Sequence, residues 1–251
     1  MNLVAPKTES LDHTYIPRMR IVLLLVVFAF LFSVSTASAQ DSAHGGAHEY
    51  QEAIDRISQK RKALAKQWSR APSKPLQRTI EGELVDAVGQ LTQHWLGTRW
   101  ALGSPQTTLP QIGKVNCGTF VGRVLHDVGF NVEVRKLQRQ PSQLIIKSFV
   151  GKDRMRKFSN KPMKTFLASV REMGPGLFII GLDFHVGFLL QTSDDLRFVH
   201  ASFETETVVN EDAATAMPIT TSNYKVVGKI LSPDNIASWL KGSKIQVRGD
   251  W

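Results

Sequence analysis

Two hydrophobic periods divide this chain, and together they fix its class. From Ile80 to Trp95, and again from Phe120 to Val128, apolar residues recur every three or four positions or adjacent to them, the spacing of helices with one buried face, and a loop rich in Gly, Pro, Ser and Thr joins the two stretches. From Gly176 onward they come as short runs rich in Val, Ile and Phe. These are "GLFIIGLD", "HVGFLLQ", "LRFVHAS", "ETVVN" and "YKVVGKIL", separated by turn residues. Helices first and antiparallel strands second describe an α+β domain, with N-terminal helices packed on an antiparallel sheet. No internal repeat interrupts this order.

The individual helices differ in quality. Gln40–His48, "QDSAHGGAH", is small and polar and reads as a flexible tail, its two histidines separated by glycines and unsuited to a metal. Glu49–Ser69 reads as a charged helix with a weak stripe at Ile54, Ile57, Leu64 and Trp68. "RAPSKP" breaks it. The next helix is better patterned, with Ile80, Leu84, Val88, Leu91 and Trp95 on one face and Gly97 as its stop. A third helix opens at "NCGTFVGRVL", and Phe120, Val121, Val124, Leu125 and Val128 form its apolar face. Gly118 and Gly122 lie one turn apart there and permit close approach by another backbone. Residues 131–172 form a middle segment ending in a helix, "PMKTFLASVREMG". A short helix, "DNIASWL", closes the fold.

The N-terminus has the marks of an export signal. Arg18 and Arg20 precede a 14-residue apolar run, Ile21–Val34, broken only by Ser33, and Ala37-Ser38-Ala39 has the small-x-small spacing that signal peptidases accept. Residues 1–39 are expected to be a signal peptide, 40–75 a flexible tail and N-terminal helix, and 76–251 the functional domain. The apolar run is short of the ~20 residues that span a bilayer. No stable membrane insertion is therefore expected after cleavage, with a retained anchor as the alternative. Of the formal charge of +9 the leader supplies +1, so the remainder favours acidic surroundings such as cell-wall polymers. Lys152–Lys157, "KDRMRK", lacks the aromatic interleaving of strand-stacking nucleic-acid binders. Export also argues against nucleic acid.

One cysteine permits no internal disulfide. In an oxidising compartment a lone thiol is a liability unless it is buried or used. Asn116 is a good N-cap and places Cys117 in the first turn of its helix. Free N–H groups and the positive dipole end there favour a thiolate, and the N–H of Cys117 or Gly118 could hold an oxyanion. Read alone, the same cysteine is more simply a small buried hydrophobe.

A nucleophilic thiol needs a base. His94 and His126 lie in helices and read as surface or capping residues, whereas His185 and His200 each sit in an apolar strand run. If Ser193 and Asp194 are the centre of a hairpin, opposed residues sum to 387. His200 then faces Gly187, and His185 faces Ser202. Both histidines fall on one face as diagonal neighbours, ~7–8 Å apart between backbones, with Gly187 leaving room between them. A one-residue change in the turn would separate them. Cys117 as nucleophile, His185 as base and His200 as orienter form a catalytic constellation.

With those residues in place, the chain resembles the NlpC-type family of cell-wall cysteine peptidases, papain-like in fold. "LGTRW" at Leu96–Trp100, "NCGTFV" at Asn116–Val121, His185-Val186-Gly187 and Val199-His200-Ala201-Ser202 match that family's motifs in order, over about Leu84 to Leu231. The departures are Asn116 for aspartate, Gly118-Thr119 for Ser-Gly, Trp100 for tyrosine, and Pro175-Gly176-Leu177 for Gly-Asp-Leu. Residues 131–172 stand as an insertion between cysteine and histidine. The resemblance implies an exported, periplasmic or wall-associated monomer that hydrolyses amide bonds of peptidoglycan stem peptides. It also implies the triad Cys117, His185 and His200, with Gly118, Asn116 and Trp100 near the oxyanion or substrate, and no metal or cofactor. The alternatives are a papain-like acyltransferase or amidase on another acyl substrate, and an inactive wall-binding module.

Overall fold

The computed structural model describes residues 46–103, 105–151 and 154–249. The expected leader, residues 1–39, lies outside the described residues, as does His44.

Residues 46–70 form helix α1, so the helix begins inside the stretch expected to be a loose tail and includes His48. Its buried face is Tyr50, Ala53, Ile57 and Leu64, turned from the expected stripe, since Ile54 and Trp68 are only partly covered. Tyr50 explains the turn. Its hydroxyl accepts from Trp95 Nε1–H at 3.0 Å and donates to Asp127 Oδ2 at 2.8 Å. That one side chain ties α1 to α2 (Lys74–Trp95) and α3 (Cys117–Asp127). Ser73 caps α2 by accepting from Leu76 N–H, and Pro75 sits in its first turn, where no N–H is needed. The five stripe residues of α2 are fully buried.

The strands β3 (Met155–Ser159), β4 (Gly176–Gly181), β5 (Val186–Gln191), β6 (Leu196–Ala201), β7 (Val208–Asp212) and β8 (Tyr224–Lys229) make one antiparallel sheet, ordered β3-β8-β4-β5-β6-β7. A short parallel pair, β1 (Arg99–Trp100) and β2 (Lys114–Val115), flanks the entry to α3. Helices α1, α2, α3, α5 (Ser142–Phe149) and α8 (Pro233–Lys241) share one core with Leu177, Ile179, Phe188 and Val199. On the other side, α6 (Met163–Arg171) and α7 (Met217–Thr221) share a second core with Phe178, Ile180, Leu189 and Phe198. Alternate residues of β4 thus enter different cores, so the strand is apolar throughout and shows no polar face.

The middle segment 131–172 contributes to both the sheet and its cover. It supplies α4 (Val134–Leu137), α5, the edge strand β3 and α6. The basic stretch around Arg156 therefore runs into a paired strand, Met155–Ser159 against β8, on which Lys157 stays exposed. Charge on an edge strand discourages pairing with another chain. No helix among the described residues is long and apolar enough to cross a membrane.

Candidate active site

Cys117 opens α3, as its sequence position requires. Asn116 is the N-cap: its side chain accepts from Thr119 N–H at 2.8 Å and its carbonyl accepts from Phe120 N–H at 2.9 Å. Asn116 N–H is itself held by Gln106 Oε1 at 2.6 Å. Gly118 has the close neighbour its type suggested, since a Cβ there would meet the Gln138 carbonyl at 2.8 Å. The N–H groups of Val186, Gly118 and Cys117 hydrogen-bond the sulfur and pull its pKa down, yet burial is the larger effect and holds the thiol above its ordinary value. The resting group is a thiol, not the thiolate that the helix start alone would favour.

The histidines meet as the hairpin arithmetic requires. The β5–β6 pairs are Phe188 with Val199, Leu189 with Phe198, Leu190 with Arg197 and Gln191 with Leu196, and each sums to 387. His185 Nε2 lies 2.7 Å from His200 Nδ1. Phe198 stacks on the His200 ring at 4.0 Å between centroids, tilted 16°. Gly187 is needed opposite: an added Cβ would approach the Phe198 ring at 2.6 Å and His200 Cβ at 2.9 Å. His200 Nε2 continues to Glu211 Oε1 on β7, again at 2.7 Å. Burial, then the neighbouring His200, push His185 down to about 3, and burial pushes His200 down to about 3. Both rings are neutral near pH 7. With Nε2 engaged by His200, Nδ1 is the nitrogen of His185 left for the thiol.

Cys117, Gly118, Asn116 and His185 line one pocket of about 310 Å³ at the end of β5. The α4–α5 connection and the start of α5 form one wall through Gln138, Gln140, Pro141, Ser142 and Ile145. Trp100, expected at this site, does not line the pocket. Its ring packs at 6.3 Å on Phe203, which packs at 6.3 Å on His185, so it stands behind the base. Gln106 and Glu211 were not singled out by sequence. His94 packs edge-on against Tyr50, and His126 pairs with Asp127 at 2.8 Å; neither belongs to the pocket. Among the described residues there is no group of three or more His, Cys, Asp or Glu that could hold a metal.

Two histidines folded neutral make stability depend on pH. Between the ordinary value of 6.5 and about 3, the unfolded chain binds more protons than the folded one. Stability should therefore be complete above that window and fall as pH drops through it, by ~1 kcal/mol per pH unit per histidine. His200→Asn should flatten the acid side of a plot of Tm against pH. Parallel curves for the two proteins would mean that His200 folds charged.

No protein-family model matches the chain, and no curated protein matches it in sequence. Among solved structures, an N-acetylmuramoyl-L-alanine amidase from Bacteroides uniformis superposes with a TM-score of 0.36 at 11% identity, covering 59% of this chain and 99% of that one. Protein LPG0564 from Legionella pneumophila, of the DUF1460 family, gives a TM-score of 0.33 at 13% identity, covering 67% and 96%. Neither superposition bears on the chemistry, which rests on the site itself.

Proposed function

We propose that this protein is an exported cysteine hydrolase that cleaves amide bonds in cell-wall peptides. The observation that carries the hydrolase reading is a thiol and an imidazole opening into one pocket, the imidazole's far nitrogen being held by His200 at 2.7 Å. Cys117 Sγ attacks the amide carbonyl carbon as its proton passes to His185 Nδ1. The N–H groups of Cys117 and Gly118, which bond the sulfur in the resting site, pass to the tetrahedral oxyanion as it forms at the start of α3. The C–N bond breaks, His185 returns the proton to the leaving amine, and a thioester remains on Cys117. Water then attacks the thioester carbon, giving its proton to His185; the C–S bond breaks, the departing sulfur takes that proton back, and the acid and free thiol are released. Because thiol and imidazole both rest uncharged, the proton moves during attack and no preformed ion pair is needed. The wall-peptide substrate rests on the four NlpC-like motifs, and export on the leader pattern of residues 1–39.

A second reading changes the acyl group. The described residues lining the pocket include no Lys or Arg to meet a substrate carboxylate. Asp183, its one acidic residue, spends both oxygens on the N–H groups of Asn223 and Tyr224, at 2.8 and 3.0 Å. Leu102 and Phe184 stand at the pocket 75% and 96% exposed. Such a mouth suits an amide or ester carrying an apolar chain.

Incubating residues 40–251 with purified muropeptides and, separately, with phospholipid vesicles, then weighing the products, separates the readings. Release of a free amine and acid from muropeptides supports the first. An acyl group appearing on Cys117 from lipid alone would replace it by the second. Binding to wall fragments without products, unaffected by iodoacetamide, would reduce the protein to a binding module.

A further inference from the structure

The triad leaves one hydrogen bond unexplained, and its direction carries information. His200 Nε2 stands 2.7 Å from Glu211 Oε1, and this contact is made by a histidine with no exposed surface. Burial raises the pKa of the Glu211 carboxyl and the nearby Arg197 opposes that rise; the ionised carboxylate only accepts, so His200 Nε2 carries the proton. A neutral imidazole has one N–H, so His200 Nδ1 is then a bare acceptor. It can receive only a donor, and the atom 2.7 Å away is His185 Nε2. His185 must therefore keep its proton on Nε2, leaving Nδ1 free to take the proton of Cys117. Reversing the first bond would reverse each later one and aim an N–H of His185 at the thiol.

The fold places these groups with little freedom. On β6–β7, His200 opposes Val209 and Phe198 opposes Glu211. Glu211 thus lies diagonally across from His200, as His200 does from His185, so the three groups step across β5, β6 and β7 on one face. Arg197 fixes the neighbouring strand segment, donating from Nε to Asn210 Oδ1 at 2.9 Å and from Nη2 to the Asn210 carbonyl at 2.7 Å.

We propose, on the hydrolase reading above, that Glu211 is a positioning residue that fixes the tautomers of His200 and, through it, of His185. It touches no substrate. Its carboxylate also faces the positive charge that develops on His185 during attack, one imidazole away.

The test combines a spectroscopic and a kinetic readout in Glu211→Ala and Glu211→Gln. In protein labelled with 15N-histidine, with His200 assigned by its loss in His200→Asn, wild type should show His200 as the Nε2–H tautomer. Glu211→Ala should populate the Nδ1–H tautomer, and Glu211→Gln, whose amide oxygen still accepts, should restore the first. Turnover should fall roughly tenfold in the alanine variant and less in the glutamine variant. In a His200→Asn background, which cannot reach Glu211, Glu211→Ala should cost less than about twofold more. An unchanged tautomer in Glu211→Ala, or an equal loss in both backgrounds, would overturn the assignment. If wild type turns over none of the tested substrates while the tautomers respond as described, the relay stands and the hydrolase reading fails.

Discussion

Cys117→Ala is expected to lower turnover by at least about a thousandfold while leaving the melting temperature almost unchanged. The two expectations have separate grounds. The sulfur is the nucleophile that shares the pocket with the His185 base, whereas the Ser142 hydroxyl donates to the Leu182 carbonyl at 3.5 Å, so loss of Cys117 removes the reaction path rather than one contribution to it. For stability, Cys117 is only half-buried, and alanine keeps the helix start intact because Asn116 caps through its own side chain and carbonyl. Removing one polarisable atom at such a place costs about 1 kcal/mol or less. Alkylation supplies the complementary measurement. Since burial holds the thiol up, iodoacetamide should react with a rate that rises with pH along a curve displaced above that of a free thiol of pKa ~8.5. His185→Ala should slow the reaction near neutrality by removing the base. A variant lacking Cys117 that still hydrolyses the substrate would end the nucleophile assignment. Alkylation only on unfolding would make Cys117 a packing residue.

The parts of this site that the sequence made legible are those governed by local rules. Asn116 before an apolar helical face announces a cap, and a cap fixes where the next residue sits. "TSDD" has two central turn residues, so the β5–β6 register followed by counting, and the register determines the shared face. Glu211 escaped because nothing in the β6–β7 connection marks the centre of its turn. Residues 202–207 form an irregular link with Glu206 at φ 56°, and Ser202 N–H returns to the Thr207 carbonyl at 2.8 Å. The opposed positions again share one sum, 409, but no Gly, Asn or Asp in "SFETET" marks the centre from which to count it. The α1 face was misjudged for another reason: an aromatic with a polar tip, Tyr50, outweighs Trp68 because its hydroxyl satisfies two partners inside the core. The edge strand β3 was hidden by charge, which edge strands carry by design and which period-two counting discounts. The pocket wall formed by Gln138 to Ile145 comes from ordinary residues whose placement is wholly tertiary.

His200 gives the sharpest kinetic contrast between two substitutions at one position. His200→Asn should keep much of the activity, and His200→Leu should lose roughly ten- to a thousandfold in kcat. The asparagine side-chain oxygen falls near the place of His200 Nδ1 and accepts from His185 Nε2–H as the ring does. Leucine fills similar volume and packs on Phe198, but it accepts nothing. His185 would then keep a buried Nε2–H without a partner, at a cost of about 1–3 kcal/mol, or relieve it by rotating or by moving its proton to Nδ1. Either response removes the acceptor that Cys117 needs. Asparagine does forfeit the bond to Glu211, so its activity should be reduced and should no longer depend on that carboxylate. Both variants should fold, because Gly187 and Phe198 bound a space that either side chain can occupy. The measurement is kcat and KM on one substrate for the three proteins, with circular dichroism to check folding. The loss should fall on kcat, since His200 is walled off from the pocket by His185. Equal activity in the leucine and asparagine variants would remove His200 from the mechanism, and with it the reason for the 2.7 Å contact between the rings.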